Sequence, residues 1–192
     1  PAAPFTMYTT EAPRPPLAAI DSAGRDVLDR VSRADRRFVD NLPLAAVRGY
    51  ADDHALTLTL PPAGPGGRRL LLLTGWTDYA FSSDNVAAHQ AGLTLVPPSL
   101  EVRAPDGTWR TAIDSIGVPV GRPQTVVVDL TDAIPANARE VRIRTTMRVY
   151  WDQVLVDTSD GRAPFTVDRL EADAARLALR GYSAELTPDG RE

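Results

Sequence analysis

The sequence predicts a mainly β protein, an antiparallel β-sandwich, and three observations lead there. Short apolar runs with period-2 alternation recur between residues 55 and 158. Clusters of Pro, Gly, Asp and Asn separate them and supply turns. Only one segment, residues 22–38, carries clear helical spacing, so there is no strand–helix–strand alternation to build a parallel sheet. At 192 residues the chain is the size of a single domain, and one domain over 1–192 is expected.

Taken in order, residues 1–20 are Pro-rich and predict an extended lead-in. Residues 22–38 place Val27, Leu28, Val31, Ala34 and Phe38 at helical spacing, with charges opposite and Asp21 or Ser22 as N-cap; this predicts an N-terminal helical arm. The sandwich is expected over 50–182. Residues 55–60 (ALTLTL) alternate as a half-buried strand, and PPAGPGG follows as a loop. The run RLLLLTGW at 69–76 predicts a strand buried on both faces. SLEVR and TWRTAI flank Ala104-Pro105-Asp106-Gly107, a hairpin signal in which Pro pre-sets the turn and Gly accepts positive φ. Strands are further expected at 124–130, 140–147 and 149–158. Residues 168–182 suit helix by content and strand by the alternation of Leu177 and Leu179, so both stay open.

Composition narrows the chemistry. All 21 basic residues are Arg, against 25 acidic ones, for a net charge of −4. That balance argues against a nucleic-acid or anionic-membrane surface. The lack of Lys excludes a Schiff-base lysine, and the lack of Cys excludes thiolate nucleophiles and zinc–thiolate sites. His54 and His89 are too few for a multi-histidine metal centre, so no metal and no cofactor is expected. No stretch reaches the roughly 18 apolar residues of a membrane-spanning helix, so direct membrane insertion is not expected. The chain opens at Pro1 and reads as a piece of a longer one. Its lack of Cys suits either a cytoplasmic or an exported bacterial protein.

The segment 74–90 (TGWTDYAFSSDNVAAHQ) is richest in functional groups. A sugar site needs an aromatic ring against the apolar face of the pyranose, with carboxylates and amides bonding adjacent hydroxyls. Trp76, Asp78, Tyr79, Asp84, Asn85 and Gln90 are therefore the candidate ligand-binding residues. The competing and favoured reading is structural: Trp76, Tyr79 and Phe81 cover an open end of the sandwich, while Asp84 and Asn85 cap a short helix through 86–88. Ser82, Ser83, Asp84 and His89 contain the residue types of a nucleophilic triad without its Gly-x-Ser-x-Gly elbow. Asp78 and Asp84 are two carboxylates whose separation the spacing does not fix. No catalytic residue is assigned, and the chain is not expected to be an enzyme.

A second cluster, VYWDQVLVD at 149–157, puts Asp152 on a strand whose alternation buries one polar group or another. A buried carboxylate needs a partner. The expected one is an Arg of the neighbouring strand, Arg142, Arg144 or Arg148, and a calcium ion is the alternative. Arg139 completes a basic stripe, with Glu101 and Asp129 as its expected partners.

Four strings resemble a known family: LLLTGWTDY with Asn85, VPPSLEVRAPDGTWRTAI, IGVPVGRPQTVVVDL and VRIRTTMRVYWDQVLVDT. They are similar to the C-terminal β-domain of bacterial proteins related to cartilage acidic protein (CRTAC-like), which carry FG-GAP propellers and ASPIC/UnbV domains. The similarity spans about residues 40–182. It implies a non-enzymatic structural or interaction module of an exported or cell-surface protein, with other domains of the parent chain or a protein partner as its contacts. It brings no catalytic residues, and the calcium-binding FG-GAP signature is absent. The strand pattern also resembles galactose-binding-like jelly rolls, in architecture alone. The alternative function is a carbohydrate-binding module using the 74–90 loop, and a hydrolase stands third.

Overall fold

Alternation along the strands decides how the two layers form. The computed structural model describes residues 7–161, 166, 168, 170–179 and 181. In β2 (Tyr50–Thr59), Leu56 and Leu58 are buried while Ala55, Thr57 and Thr59 lie half-exposed. β7 (Glu140–Met147) runs antiparallel beside it, setting Leu56 opposite Ile143 and Leu58 opposite Val141. β4 (Ser99–Arg103) pairs on β7, β5 (Trp109–Ile113) on β4, and β1 (Ala18–Ile20) on the far side of β2. The order is β1-β2-β7-β4-β5.

The second sheet has three strands. β3 (Leu70–Thr77) lies between β6 (Gln124–Asp129) and β8 (Val149–Asp157), all antiparallel. Leu71 stands between Val128 and Val156, and Leu73 between Val126 and Val154. These side chains meet Leu56, Leu58, Leu100, Val141 and Ile143 of the first sheet in one core. Each fully buried leucine contributes about 2 kcal/mol by removal from water. A two-layer sandwich is therefore present, as alternation predicts. One expectation about β3 is corrected: Leu72, Thr74 and Trp76 are half-exposed, because they face away from the other sheet.

The Ala104–Gly107 hairpin forms as read. Gly107 takes φ +83° and donates to Ala104 O at 2.9 Å, while Ala104 N–H donates to Thr108 O at 2.8 Å.

The helical arm over 22–38 does not form, and only α1 (Leu28–Val31) is helical. Local side-chain bonds outcompete the helix. The Asp21 carboxylate accepts the backbone N–H of Ala23 and Arg25, both at 2.9 Å, and Gly24 sits at φ +75°. Downstream, Arg36 has φ +64°, and its N–H and that of Asp35 donate to Asp152. Val27 and Val31 still reach the core, by an irregular path.

The lead-in is more ordered than expected. Arg14 exchanges two backbone bonds with Val156 of β8, at 3.0 and 2.7 Å, before β1 joins the opposite sheet. Among the described residues the strands run from Ala18 to Asp157. Described residues 168, 170–179 and 181 form no helix or strand, and Leu170, Leu177 and Leu179 are exposed; residues 169, 180 and 182 lie outside the described residues.

Candidate functional site

The 74–90 segment begins inside β3. A Cβ on Gly75 would lie 2.5 Å from Tyr150 O, so only glycine allows β8 to approach there. The pairing shifts register at this point and sets Trp76 opposite Tyr150. Their rings stack at 4.8 Å and 12°, and Phe38 meets both edge-on, at 6.1 and 6.4 Å. Burial pushes the Tyr150 phenol up. Trp76 thus has one face covered by a neighbouring ring.

Past β3, Asp78 meets two guanidinium groups: Arg48 Nε at 2.9 Å and Arg148 Nη1 at 3.3 Å. Arg148 is itself spread over the turn before β2, donating to Ala45 O, Val47 O and Tyr50 O. Gly49 in that turn has φ +83°, and a Cβ there would lie 2.4 Å from Ala80 N. The two loops are locked together.

Tyr79 and Phe81 pack edge-on at 5.6 Å, and Arg48 lies 4.5 Å over the Phe81 ring. Both rings remain 45% and 49% exposed, so they do not close the end of the sandwich as the structural reading supposed. After them comes α2 (Ser82–Gln90), longer than the short helix expected through 86–88. Asp84 accepts the Phe81 N–H at 2.8 Å from the third helical position, an N-terminal bond that also suits the helix dipole. Asn85 Oδ1 accepts the Tyr50 hydroxyl at 2.9 Å. Ala88 is the buried residue of the helix, and Gln90 stands exposed in its last turn. Asp78 therefore meets Arg48, Asn85 meets Tyr50, and Tyr79 and Asp84 meet Phe81, while Trp76 belongs to a separate ring cluster with Phe38 and Tyr150.

For chemistry the arrangement offers little. Ser82 and Ser83 open α2 and His89 closes it, about 10 Å away along the axis, too far for a hydrogen bond. Asp78 is neutralised by two arginines, and Asp84 is committed to its own helix. Asp152, 4% exposed, is held by main-chain N–H groups of residues 35 and 36 at 3.3 and 2.7 Å, not by the expected arginine. Among the described residues no group of three His, Asp or Glu side chains forms a metal site.

The basic stripe pairs differently from expectation at one partner. Arg142 bonds Glu101, and Arg144 bonds Asp53 at 2.7 Å and Glu101 at 3.5 Å. Asp129 instead accepts from Thr131, at the end of β6. The register explains this: Glu101 lies opposite Arg142, whereas β6 belongs to the other sheet.

Sequence reasoning missed three buried polar groups. His54 lines a cavity of about 20 Å³ between the sheets with Thr145 and Trp151, and its Nδ1 lies 2.9 Å from Asp52 O. Burial pushes the imidazole down, against the opposing influence of the Asp52 carbonyl and of Asp53. Arg69, 1% exposed, donates to Ala138 O and Ala136 O and leaves Nε without a partner. Asp157, fully buried, accepts from Arg68, Ser159, Glu11 and Ala12. Position in an alternating strand marks His54 and Asp157 in retrospect, but three partners of Asp157, namely Arg68, Glu11 and Ala12, lie far away in sequence. A depression of about 680 Å³ is lined by residues of 26–37 and contains none of the candidate residues. No family model, curated protein or solved structure matches this chain.

Proposed function

We propose that this chain is a non-catalytic interaction module of a larger exported or surface-associated protein, with a jelly-roll topology. The strand order supports the topology: β8-β3-β6 faces β2-β7-β4-β5, and the lead-in at Arg14 sits where a jelly roll's first strand would flank β8. The CRTAC-like resemblance of residues 40–182 points to the same kind of module.

One observation carries the functional reading. Three of the candidate polar groups of 74–90 are spent within the molecule, Asp78 on two arginines, Asp84 on its helix and Asn85 on Tyr50. The large apolar side chains it leaves outward are Tyr79, Phe81 and Val86, beside the exposed polar Ser82, Ser83, His89 and Gln90. Such a surface suits a protein partner, here another domain of the parent chain. The test is calorimetric titration of this chain with the neighbouring domains of that parent. Tyr79→Ala with Phe81→Ala should weaken binding by about tenfold or more while leaving the melting temperature near wild type. Undiminished binding by that variant sinks the reading.

The exposed rings of Tyr79 and Phe81 also favour a second reading, a carbohydrate-binding module. A glycan array with and without calcium tests it, and a binder lost on Tyr79→Ala would establish it. Hydrolytic turnover abolished at Asp78, Asp84 or His89 would overturn both.

A further inference from the structure

We infer that the outer edge of β6 pairs with the β6 of a second copy of this chain, in an antiparallel two-fold dimer that joins the two three-stranded sheets. The inference starts from how the other sheet edges are guarded. β8 is covered by Arg14 on Val156, by Ser32 against Gln153, and by the Val39 N–H on Trp151 O. β1 has three residues, and the Val27 N–H caps Ala19 O along its far side. β5 is five residues long, carries Arg110 and is offset by a register shift against β4. Short strands, edge charges and irregular pairing are the usual protections of a sheet edge.

Of these β6 has only one charge, Asp129 at its end. Its sequence, QTVVVD, has no Pro and no basic residue, pairs with β3 without a shift over all six positions, and meets no other strand among the described residues. The backbone direction follows from the ladder. Leu130 N–H donates to Arg69 O at 2.9 Å, so by alternation Val128 and Val126 bond to β3, while Thr125, Val127 and Asp129 point their N–H and C=O outward. All three are exposed. An unpaired row of this kind is a template for strand addition.

A second copy completes that row symmetrically. A two-fold axis through Val127, normal to the sheet, keeps core faces on one side and sets Val127 opposite its own equivalent. Thr125 then faces Asp129 of the other copy, and about six backbone hydrogen bonds form. No like charges meet across the pair. The flanks are complementary as well. Arg122 precedes β6 and Asp132 follows it, and neither has an ion-pair partner among the described residues. The same axis brings Arg122 of each copy toward Asp132 of the other. On the outer face, Leu72 and Val127, already neighbours in register, extend into a continuous apolar row across the joint. The pairing goes beyond the interaction reading above and does not depend on it.

The test is sedimentation velocity of the full chain up to about 200 µM, a range that detects a micromolar dimer. A species of twice the 20.7 kDa chain mass is expected to grow with concentration. Val127→Pro removes an outward N–H and spares the β3 ladder, so it should abolish the dimer while far-UV circular dichroism stays native. Arg122→Asp alone, and Asp132→Arg alone, should each weaken the dimer by about tenfold, from two symmetry-related contacts. The two together should restore it. These exposed variants keep the test valid should Val127→Pro fail to fold. A monomer throughout the range overturns the inference. So does a dimer indifferent to the charge changes, or a double variant no tighter than either single one.

Discussion

Replacing Asp157 with Ala should cost this fold about 3 kcal/mol, and the reasons are local. The carboxylate is fully buried and accepts Arg68 Nη1 at 2.8 Å, Ser159 N–H at 3.1 Å and Oγ at 2.5 Å, and the N–H groups of Glu11 and Ala12 at 3.1 and 3.2 Å. Its loss orphans two lead-in donors and a half-buried cation. Arg68 retains Thr9 O and Ser159 O, which keeps the cost at the lower end for a broken buried pair. With a urea slope of about 2 kcal/mol/M, the midpoint should fall by about 1.5 M. Acidity supplies a second signature. Burial pushes the Asp157 carboxyl up, but the bonds from Ser159, Arg68 and Ala12 outweigh it and hold the group below its ordinary value. A carboxylate lowered in the folded state stabilises fully above its unfolded value of about 4, and that stability drains as pH falls below it. The wild-type advantage over Asp157→Ala should therefore be constant from neutral pH to about 5 and shrink below about 4. A loss under about 1 kcal/mol with an unchanged slope would refute the reasoning. So would a gap that stays constant down to pH 2, about two units below the unfolded value.

Trp76→Ala should destabilise by about 3 kcal/mol in chemical denaturation, since it removes a ring stacked on Tyr150 and flanked by Phe38. Tyr79→Ala should cost less than about 1 kcal/mol in the same assay, because that ring is half-exposed. Gly75→Ala should lower stability by about 2 kcal/mol or more, measured by thermal melting, since its new methyl would press on Tyr150 O. His54 is buried with its imidazole pushed down, so protonation favours the unfolded chain. Stability should hold above pH about 6.5 and fall as pH drops below it, and His54→Leu should flatten that slope in melts between pH 5 and 7.5.

Strand identity was legible because it is written locally. Leu56 and Leu58 against Thr57 and Thr59 admit one buried face, and Pro105 with Gly107 admits a hairpin between SLEVR and TWRTAI. The helix over 22–38 misled because its apolar spacing is real: Val27 and Val31 are buried, yet Asp21, Gly24 and Arg36 adopt turns that the helix forbids. The Asp152 partner was invisible for a different reason, since main-chain N–H groups of residues 35 and 36 leave no signature in side-chain identity. In the 74–90 segment, residue types suited a sugar, but their availability depended on Arg48, Tyr50 and Arg148, brought there by other elements.

The sequence by itself determined a two-layer β protein, the places of most of its strands, its main hairpin and an all-arginine basic set. These follow from periodicity and turn chemistry, which act over a few residues. Tertiary structure alone decided which carboxylate meets which arginine, where Trp76 stacks, and which sheet edge stays open. Those outcomes turn on strand order and register: β7 lies between β2 and β4, and β6 lies at the rim of the other sheet. Pairings across tens of residues depend on how the whole chain closes, and no local pattern encodes them.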